Sequence, residues 1–352
     1  MEKRTDPVSI VIPTWNGRRL LEEFLPSVLH AAERYTNESG APIEVVVVDD
    51  GSTDDTLEFL AERVTPTARV PLEIVTLRAN VGFARACNAG AQAAKHQRLL
   101  LLNNDLRIAE DAIARLVTAM NEPVETGPIF AVHCRTKDIV TDHDVGTGKV
   151  GSFSRGFFRV HRSCVPRDGV QTLPSMFANA GAAMFDRQRF LDLSGFDSLF
   201  APFYFEDVEL SYRAWKRGWT IRYAHSALVW HRFSSTIGQF GRSAIAVASH
   251  RNRLLLHWIH LHDRRWWRAH VTWTALLAVW SLITLRPAFL RGLRSALREL
   301  PEVRRRRRTA KREAMRRDRN IVDLLQTLER DSKVVTYGTR GELASKGVTP
   351  PD

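Results

Sequence analysis

The sequence predicts an α/β fold built on a parallel sheet, and three features carry that expectation. Short apolar runs rich in β-branched residues recur through the N-terminal third of the chain, each run stops at polar or turn residues, and helix-like segments lie between them. Unbroken apolarity, as opposed to alternation, marks strands covered on both faces. Strand alternating with helix marks a parallel sheet.

The runs are residues 8–14 (VSIVIPT), 43–50 (IEVVVVDD), 72–77 (LEIVTL) and 99–105 (LLLLNND). Segment 18–34 sets Leu20, Leu21, Phe24, Leu25, Val28 and Leu29 at helical spacing, and 54–63 and 83–95 behave alike. Ligands of such sheets bind at the C-terminal strand ends, here 13–17, 49–52, 77–82 and 103–105. Residues 125–205 are less regular, with one expected strand at 129–135. A helix is expected over 205–217 and one or two strands over 219–231. From Arg242 the pattern is helical with no return to strands, and 338–352 reads as disordered.

The net charge of +12 is unevenly distributed: residues 286–320 hold 14 Lys/Arg against 4 Asp/Glu, so the first 249 residues are close to neutral. Three cysteines (Cys87, Cys134, Cys164) without a CxxC pair argue against a disulfide framework or a zinc site and fit a reducing compartment. The N-terminus is a poor signal peptide and a good first strand.

Asp49 and Asp50 end a strand, where a carboxylate can accept the ring N–H of a uracil or thymine. Ser52 or Thr53 would cap the next helix, with Asp54 and Asp55 favouring its dipole. The turn after the first strand is Pro13-Thr14-Trp15-Asn16-Gly17, so no G-x-G-x-x-G is present, and no G-x-x-x-x-G-K-[ST] loop occurs; dehydrogenases and P-loop ATPases are disfavoured. Asn103-Asn104-Asp105 is either a turn or a place where Asp105 meets a hard divalent cation bridging phosphates. Glu206, Asp207 and Glu209 open a helix, serving its dipole or, behind the aromatic Phe203-Tyr204-Phe205, as a desolvated base. His231 is a packed histidine or a ligand.

Taken in order, VSIVIPTWNG, EVVVVDDGSTDDT, NVGFARACNAG, LLLLNND, NAGAAMFDRQRFLDLSGFD and FYFEDVELSYRAWKRGW resemble the inverting family 2 glycosyltransferases of the GT-A fold, in particular their bacterial rhamnosyltransferase-like branch. The resemblance spans 8–235. It implies that Asp50, with Pro13, Thr14 and Asn16, holds the base and ribose of a nucleoside-diphosphate sugar. Asn80, Arg85 and Asn104 would help shape that pocket. Asp105 would bind Mg²⁺ or Mn²⁺ and the diphosphate, with His231 nearby. Asp207 would be the general base, and Glu206 its alternative. The implied organisation is a catalytic domain over 1–240 (a nucleotide-sugar half at 1–120, an acceptor half at 121–240), a helical Trp/Arg-rich region over 241–320, and a partly disordered tail over 321–352. The donor is expected to be UDP- or dTDP-linked and the acceptor a hydroxyl of a lipid-linked or cell-surface polysaccharide precursor. A nucleotidyltransferase and a non-catalytic nucleotide-sugar-binding scaffold are the alternatives.

Residues 264–270 (RRWWRAH) precede an apolar run over 271–285. At about 1.5 Å per residue the run spans roughly 22 Å, short of the ~30 Å bilayer core. Tryptophans flanked by arginines suit a membrane surface. The segment 264–320 is therefore expected to hold the protein peripherally on the inner face of the cytoplasmic membrane. Helices packed on the catalytic domain or on a second copy are the alternative. Nucleic acid is disfavoured, because the arginines adjoin an apolar Trp-rich helix and no nucleic-acid motif occurs.

Overall fold

In the computed structural model, which describes residues 6–63, 69–167, 170–202, 204–232 and 241–338, all four apolar runs become strands. They are laid down as β1 (Val8–Thr14), α1 (Arg18–Ser39), β2 (Ile43–Asp49), α2 (Thr56–Ala61), β3 (Leu72–Thr76), α3 (Phe83–Ala93) and β4 (Arg98–Leu102). The pairs β1–β2, β2–β3 and β1–β4 are parallel. The four leucines show why the runs are unbroken. Leu99 and Leu101 enter one hydrophobic core while Leu100 and Leu102 enter another on the opposite face of the sheet. Every residue of β4 is buried.

The chain continues through β5 (Leu106–Ile108), α4 (Ala112–Met120), β6 (Ile129–Asp138), β7 (Asp144–Gly146), β8 (Gly148–Ser154), β9 (Phe157–Pro166), β10 (Thr172–Pro174), β11 (Ala182–Asp186), α5 (Arg187–Asp192), α6 (Glu206–Lys216) and β12 (Thr220–His231). The main sheet runs β10-β12-β6-β11-β4-β1-β2-β3, with β5 on β12 and β7 on β6. β11 inserts antiparallel between β4 and β6, joining the two halves of the sheet. The irregular region thus holds five strands beyond the one expected at its start, because their glycine-interrupted sequences lack a clean period.

Five helices follow: α7 (Arg242–His260), α8 (Arg264–Ile283), α9 (Pro287–Arg298), α10 (Leu300–Glu313) and α11 (Asp318–Thr327). The last described element, β13 (Val334–Gly338), corrects the expectation of no further strands. It pairs antiparallel with β9 in a second sheet, β13-β9-β8. Residues 339–352, expected to be disordered, lie outside the described residues.

The C-terminal helices share the core of the catalytic half. Leu254, Leu255, Val303, Ile321 and Leu325 are buried in one cluster with Leu210, Ala214 and Trp215 of α6. A polar knot ties the same elements. Asp318 is 1% exposed, and it accepts from Lys216 Nζ (2.9 Å), Tyr212 Oη (2.7 Å) and the amides of His262 and Asp263 (both 2.7 Å). Those donors hold its carboxyl below the usual range against the cost of burial. Glu209, also on α6, accepts from Arg213 and lies 2.8 Å from His260 Nε2. Removing one member of such a buried pair strands the other's charge and costs about 3–5 kcal/mol. Asp318→Ala is therefore expected to lower the thermal midpoint by several degrees or more, read by calorimetry. A change within error would show the C-terminal helices to be an appendage.

Candidate active site

Register brings three strand ends level at the C-terminal edge of the sheet: Thr14 pairs with Asp49, and Asp49 with Thr76. The turn after β1 is fastened to the turn after β2. The Asn16 amide donates to Ser52 Oγ (2.8 Å), and Asn16 Oδ1 accepts from the Thr53 amide (2.7 Å). Ser52 and Thr53 therefore brace Asn16 instead of capping α2. Asp54 takes over at the start of that helix, accepting from the amide of Thr56 at 3.1 Å. Gly51 has φ +71°, and a Cβ there would lie 2.6 Å from the Ala79 backbone, so only glycine lets these turns close.

Asp50 spans from β2 to the loop before α3: its two oxygens accept from the amides of Val81 (2.8 Å) and Gly82 (2.9 Å). Asn80 Oδ1 accepts from the same Gly82 amide at 3.1 Å. Burial pushes the Asp50 carboxyl up, and the two amides oppose that. Pro13, Thr14, Asn16, Asp50 and Asn80 thus belong to one wall. Arg85 does not join them. It is exposed on α3 and lines a separate cavity of about 520 Å³, together with Asn88, Arg213 and Arg306.

The two asparagines of Asn103-Asn104-Asp105 are architectural. The Asn103 amide donates to the Gly181 carbonyl (2.9 Å), and Asn104 Nδ2 donates to Thr14 Oγ1 (2.8 Å). Asp105 is placed by strand pairing. β5 aligns Leu106 with His231 at the end of β12, and the Arg232 amide donates to the Asp105 carbonyl (3.1 Å). Asp105 Oδ1 then lies 3.0 Å from His231 Nε2, yet it is buried and accepts no hydrogen bond. Such an oxygen beside an imidazole nitrogen is a two-ligand donor set. Among the described residues no third His, Cys, Asp or Glu completes a protein-only metal cage. A hard divalent cation that takes its remaining ligands from substrate phosphates and water fits these residues.

Across the loop 178–181 stands the N-terminus of α6. The Ala180 amide hydrogen-bonds to Asp207, while Gly181 receives Asn103, so one short loop fixes both the end of β4 and the start of α6. Tyr204 (φ 69°) and Phe205 (φ 75°) precede the helix in left-handed conformation, a strain on the order of 1–3 kcal/mol each. Asn252 of α7 holds this bend, donating through Nδ2 to the carbonyls of Phe200 (2.6 Å) and Tyr204 (3.0 Å).

The two acids at the bend differ. Asp207 accepts from the amides of Val208 (2.7 Å) and Ala180, which favour its ionised form, although burial pushes it up to about 6. Glu206 has a buried Oε2 with no hydrogen bond, and burial plus the charge of Asp207 pushes it higher still. Adjacent carboxyls in one enclosed place cannot both ionise readily; the amides favour the charge on Asp207, and the unpaired Oε2 favours the proton on Glu206. Asn252 and Ala180 were not foreseen. Asn252 is a lone amide in an apolar helix, and Ala180 acts only through its backbone.

Residues 9–190 match the family model described as glycosyl transferase family 2. The chain belongs to that family. This family 2 glycosyltransferase is 27% identical over 328 residues to the N-acetylglucosaminyl-diphospho-decaprenol L-rhamnosyltransferase of Mycobacterium tuberculosis, an alignment covering 84% of this chain and 98% of that one. Among solved structures it resembles GalNAc-T7 with UDP, GalNAc and Mn²⁺ (19% identity, TM-score 0.58, 74% of this chain and 49% of that one). It also resembles a mannosyltransferase from Pyrobaculum calidifontis in complex with GDP-Man and Mn²⁺ (17% identity, TM-score 0.53, 84% and 88%). Those likenesses identify the GT-A fold.

The glycosyltransferase is expected to gain stability at alkaline pH from Glu206→Gln. A carboxyl whose folded pKa is raised costs stability as pH rises from its unfolded value towards the folded one. The thermal midpoint of the variant should therefore exceed that of the parent at pH 9 and match it at pH 4; equal midpoints at both would remove the burial argument.

Proposed function

We propose that this glycosyltransferase inverts the anomeric carbon of a nucleoside-diphosphate sugar, UDP- or dTDP-linked, and transfers it to a hydroxyl of a lipid-linked saccharide precursor. The observation that carries the reading is the loop 178–181, which fixes a cation-type donor set (Asp105, His231) and a charged, burial-raised carboxylate (Asp207) from its two ends. A single displacement needs a base on one side of the sugar and charge stabilisation for the leaving diphosphate on the other. Asp207 takes the acceptor proton as its oxygen attacks, and burial makes it a stronger base than an exposed aspartate. Glu206, protonated, can donate a hydrogen bond to acceptor or sugar. Asp105 and His231 would hold Mg²⁺ or Mn²⁺, which when bound supplies Lewis-acid stabilisation to the diphosphate. Pro13, Thr14 and Asn16 line the base and ribose, where Asp50, its oxygens already receiving two amides, has lone pairs left for the N–H of the base. The assignment of 1–120 to the donor and 121–240 to the acceptor rests on this arrangement.

A lipid-linked acceptor is supported by the name of the mycobacterial relative and by α8, whose Leu276, Val279, Trp280, Leu282 and Ile283 are all more than half exposed. Among the described residues no helix is long and apolar enough to cross a membrane. An apolar face flanked by arginines is the composition of a helix lying in a bilayer surface, here the inner face of the cytoplasmic membrane. A second copy of the chain is the competing cover for that face.

Asp207→Asn is expected to lower transfer by about 10²–10⁴-fold while leaving donor binding unchanged. Because the base acts unprotonated and its pKa is raised to about 6, the parent rate should fall as pH drops through 6, above the ordinary carboxylate range. Substantial turnover in the variant would remove Asp207 from the role. A thermal-shift screen of UDP-, dTDP- and GDP-sugars with and without Mn²⁺ tests the donor. Ligand at about 100 times its Kd stabilises by roughly 2.7 kcal/mol. The Mn²⁺-dependent part of the shift should vanish in Asp105→Asn, and no shift with any donor would refute the reading.

A further inference from the structure

Between the β8–β9 turn and helices α7, α8 and α9 lies a cavity of about 290 Å³, and nothing in the mechanism above uses it. Phe157, Leu254, Leu277, Trp280 and Phe289 make its lining apolar. Its charged lining has a single sign: Arg159, Arg253 and Arg286 face it together with His250, and no carboxylate does. Elsewhere in the molecule buried arginines meet acids, as Arg98 meets Asp6 and Arg213 meets Glu209. Among the described residues none of the three cavity arginines has such a partner.

Arg253 is the most enclosed of the three. Its guanidinium lies 4.2 Å from the centre of the Phe157 ring, and burial with the nearby charge of Arg159 lowers its pKa to about 10. Arg159 and Arg286 are exposed and Arg253 more enclosed, so an anion entering the cavity meets three guanidinium forks, which match phosphate oxygens. The volume is near the lower bound of about 300 Å³ for ligand pockets, enough for a head group. The wall continues outward through Trp280 onto the exposed apolar face of α8. A ligand that satisfies both regions has an anionic phosphate head and a hydrocarbon chain.

Helix α7 supplies both a wall of the cavity and Asn252. Asn252, the chain neighbour of Arg253, is the residue that holds the Phe200 and Tyr204 carbonyls in the bend before Glu206 and Asp207. A head group seated on Arg253 would lie one residue along α7 from the anchor of the general base.

We propose that this cavity binds the phosphate-bearing head of the lipid-linked acceptor, with Arg159, Arg253 and Arg286 as its ligands and the apolar face of α8 along its hydrocarbon chain. The proposal rests on the lipid-linked acceptor reading above.

Binding of farnesyl diphosphate to the full chain, followed by calorimetry, tests it, with farnesol and inorganic diphosphate as single-feature controls. Farnesyl diphosphate should bind at least tenfold more tightly than either control. The double variant R159A/R286A, which alters two exposed side chains, should weaken it at least tenfold and leave the nucleotide-sugar thermal shifts unchanged. Equal affinity for farnesol, equal affinity for inorganic diphosphate, or a double variant that binds like the parent would overturn the proposal. So would displacement of the probe by the free nucleoside diphosphate, which would place it in the donor site. If donor shifts are present and farnesyl diphosphate fails, this inference alone falls. If the donor shifts are absent, the function reading falls first.

Discussion

The placement of α6 depends on the buried carboxylate of Asp318. Through Lys216 and Tyr212 it fixes one end of the helix, and through two backbone amides it fixes the α7–α8 junction. The other end is set by Asn252 and by the loop 178–181. A general base must stand within hydrogen-bond reach of a proton it did not choose, so its support matters as much as its acidity. The strained bend at Tyr204 and Phe205 persists because Arg251 and Asn252 of α7 hold the carbonyls around it.

The site divides its polar groups by task. Asn16, Ser52, Thr53 and Asn104 hydrogen-bond one another, Thr14 and the backbone, and the Asn103 amide holds Gly181, which locks the strand ends together. Asp105 and Glu206 are left with buried oxygens that accept nothing. Unsatisfied acceptors in a protein interior are costly, and among the described carboxylates these two oxygens are the buried ones without a hydrogen bond.

The sheet was legible because the physics that makes it is local. The run 99–102 had to be a doubly covered strand, and it is, with its leucines shared between two cores. Asp105 stood out because three polar residues stop that run. Its partnership with His231 was not legible from spacing, since it arises from a register between β5 and β12. The expected caps at Ser52 and Thr53 failed for a similar reason: a distant asparagine competes better for them than the local helix does. Arg85 lay close in sequence to the nucleotide wall but is turned by α3 toward another cavity. The basic C-terminal region was expected to meet a membrane surface, with packing on the catalytic domain as an alternative. Its charge sits on outward faces, while the apolar positions of α7, α10 and α11 complete the catalytic core, and net charge reports only the former. β13 escaped notice because five residues can form a strand only when β9 supplies an edge.

The pairing of Lys216 with Asp318 joins residues 102 positions apart, and the later one closes the pair. On the ribosome, α6 is therefore made long before the carboxylate that neutralises its buried lysine. Until α11 emerges, that lysine favours solvent over the interior, and α6 lacks the contact that docks its C-terminal end. The N-terminal β–α units, contiguous in sequence, can form during synthesis, whereas α6 must wait for the C-terminal helices. Docking of α6 thus waits for the last helices of the chain.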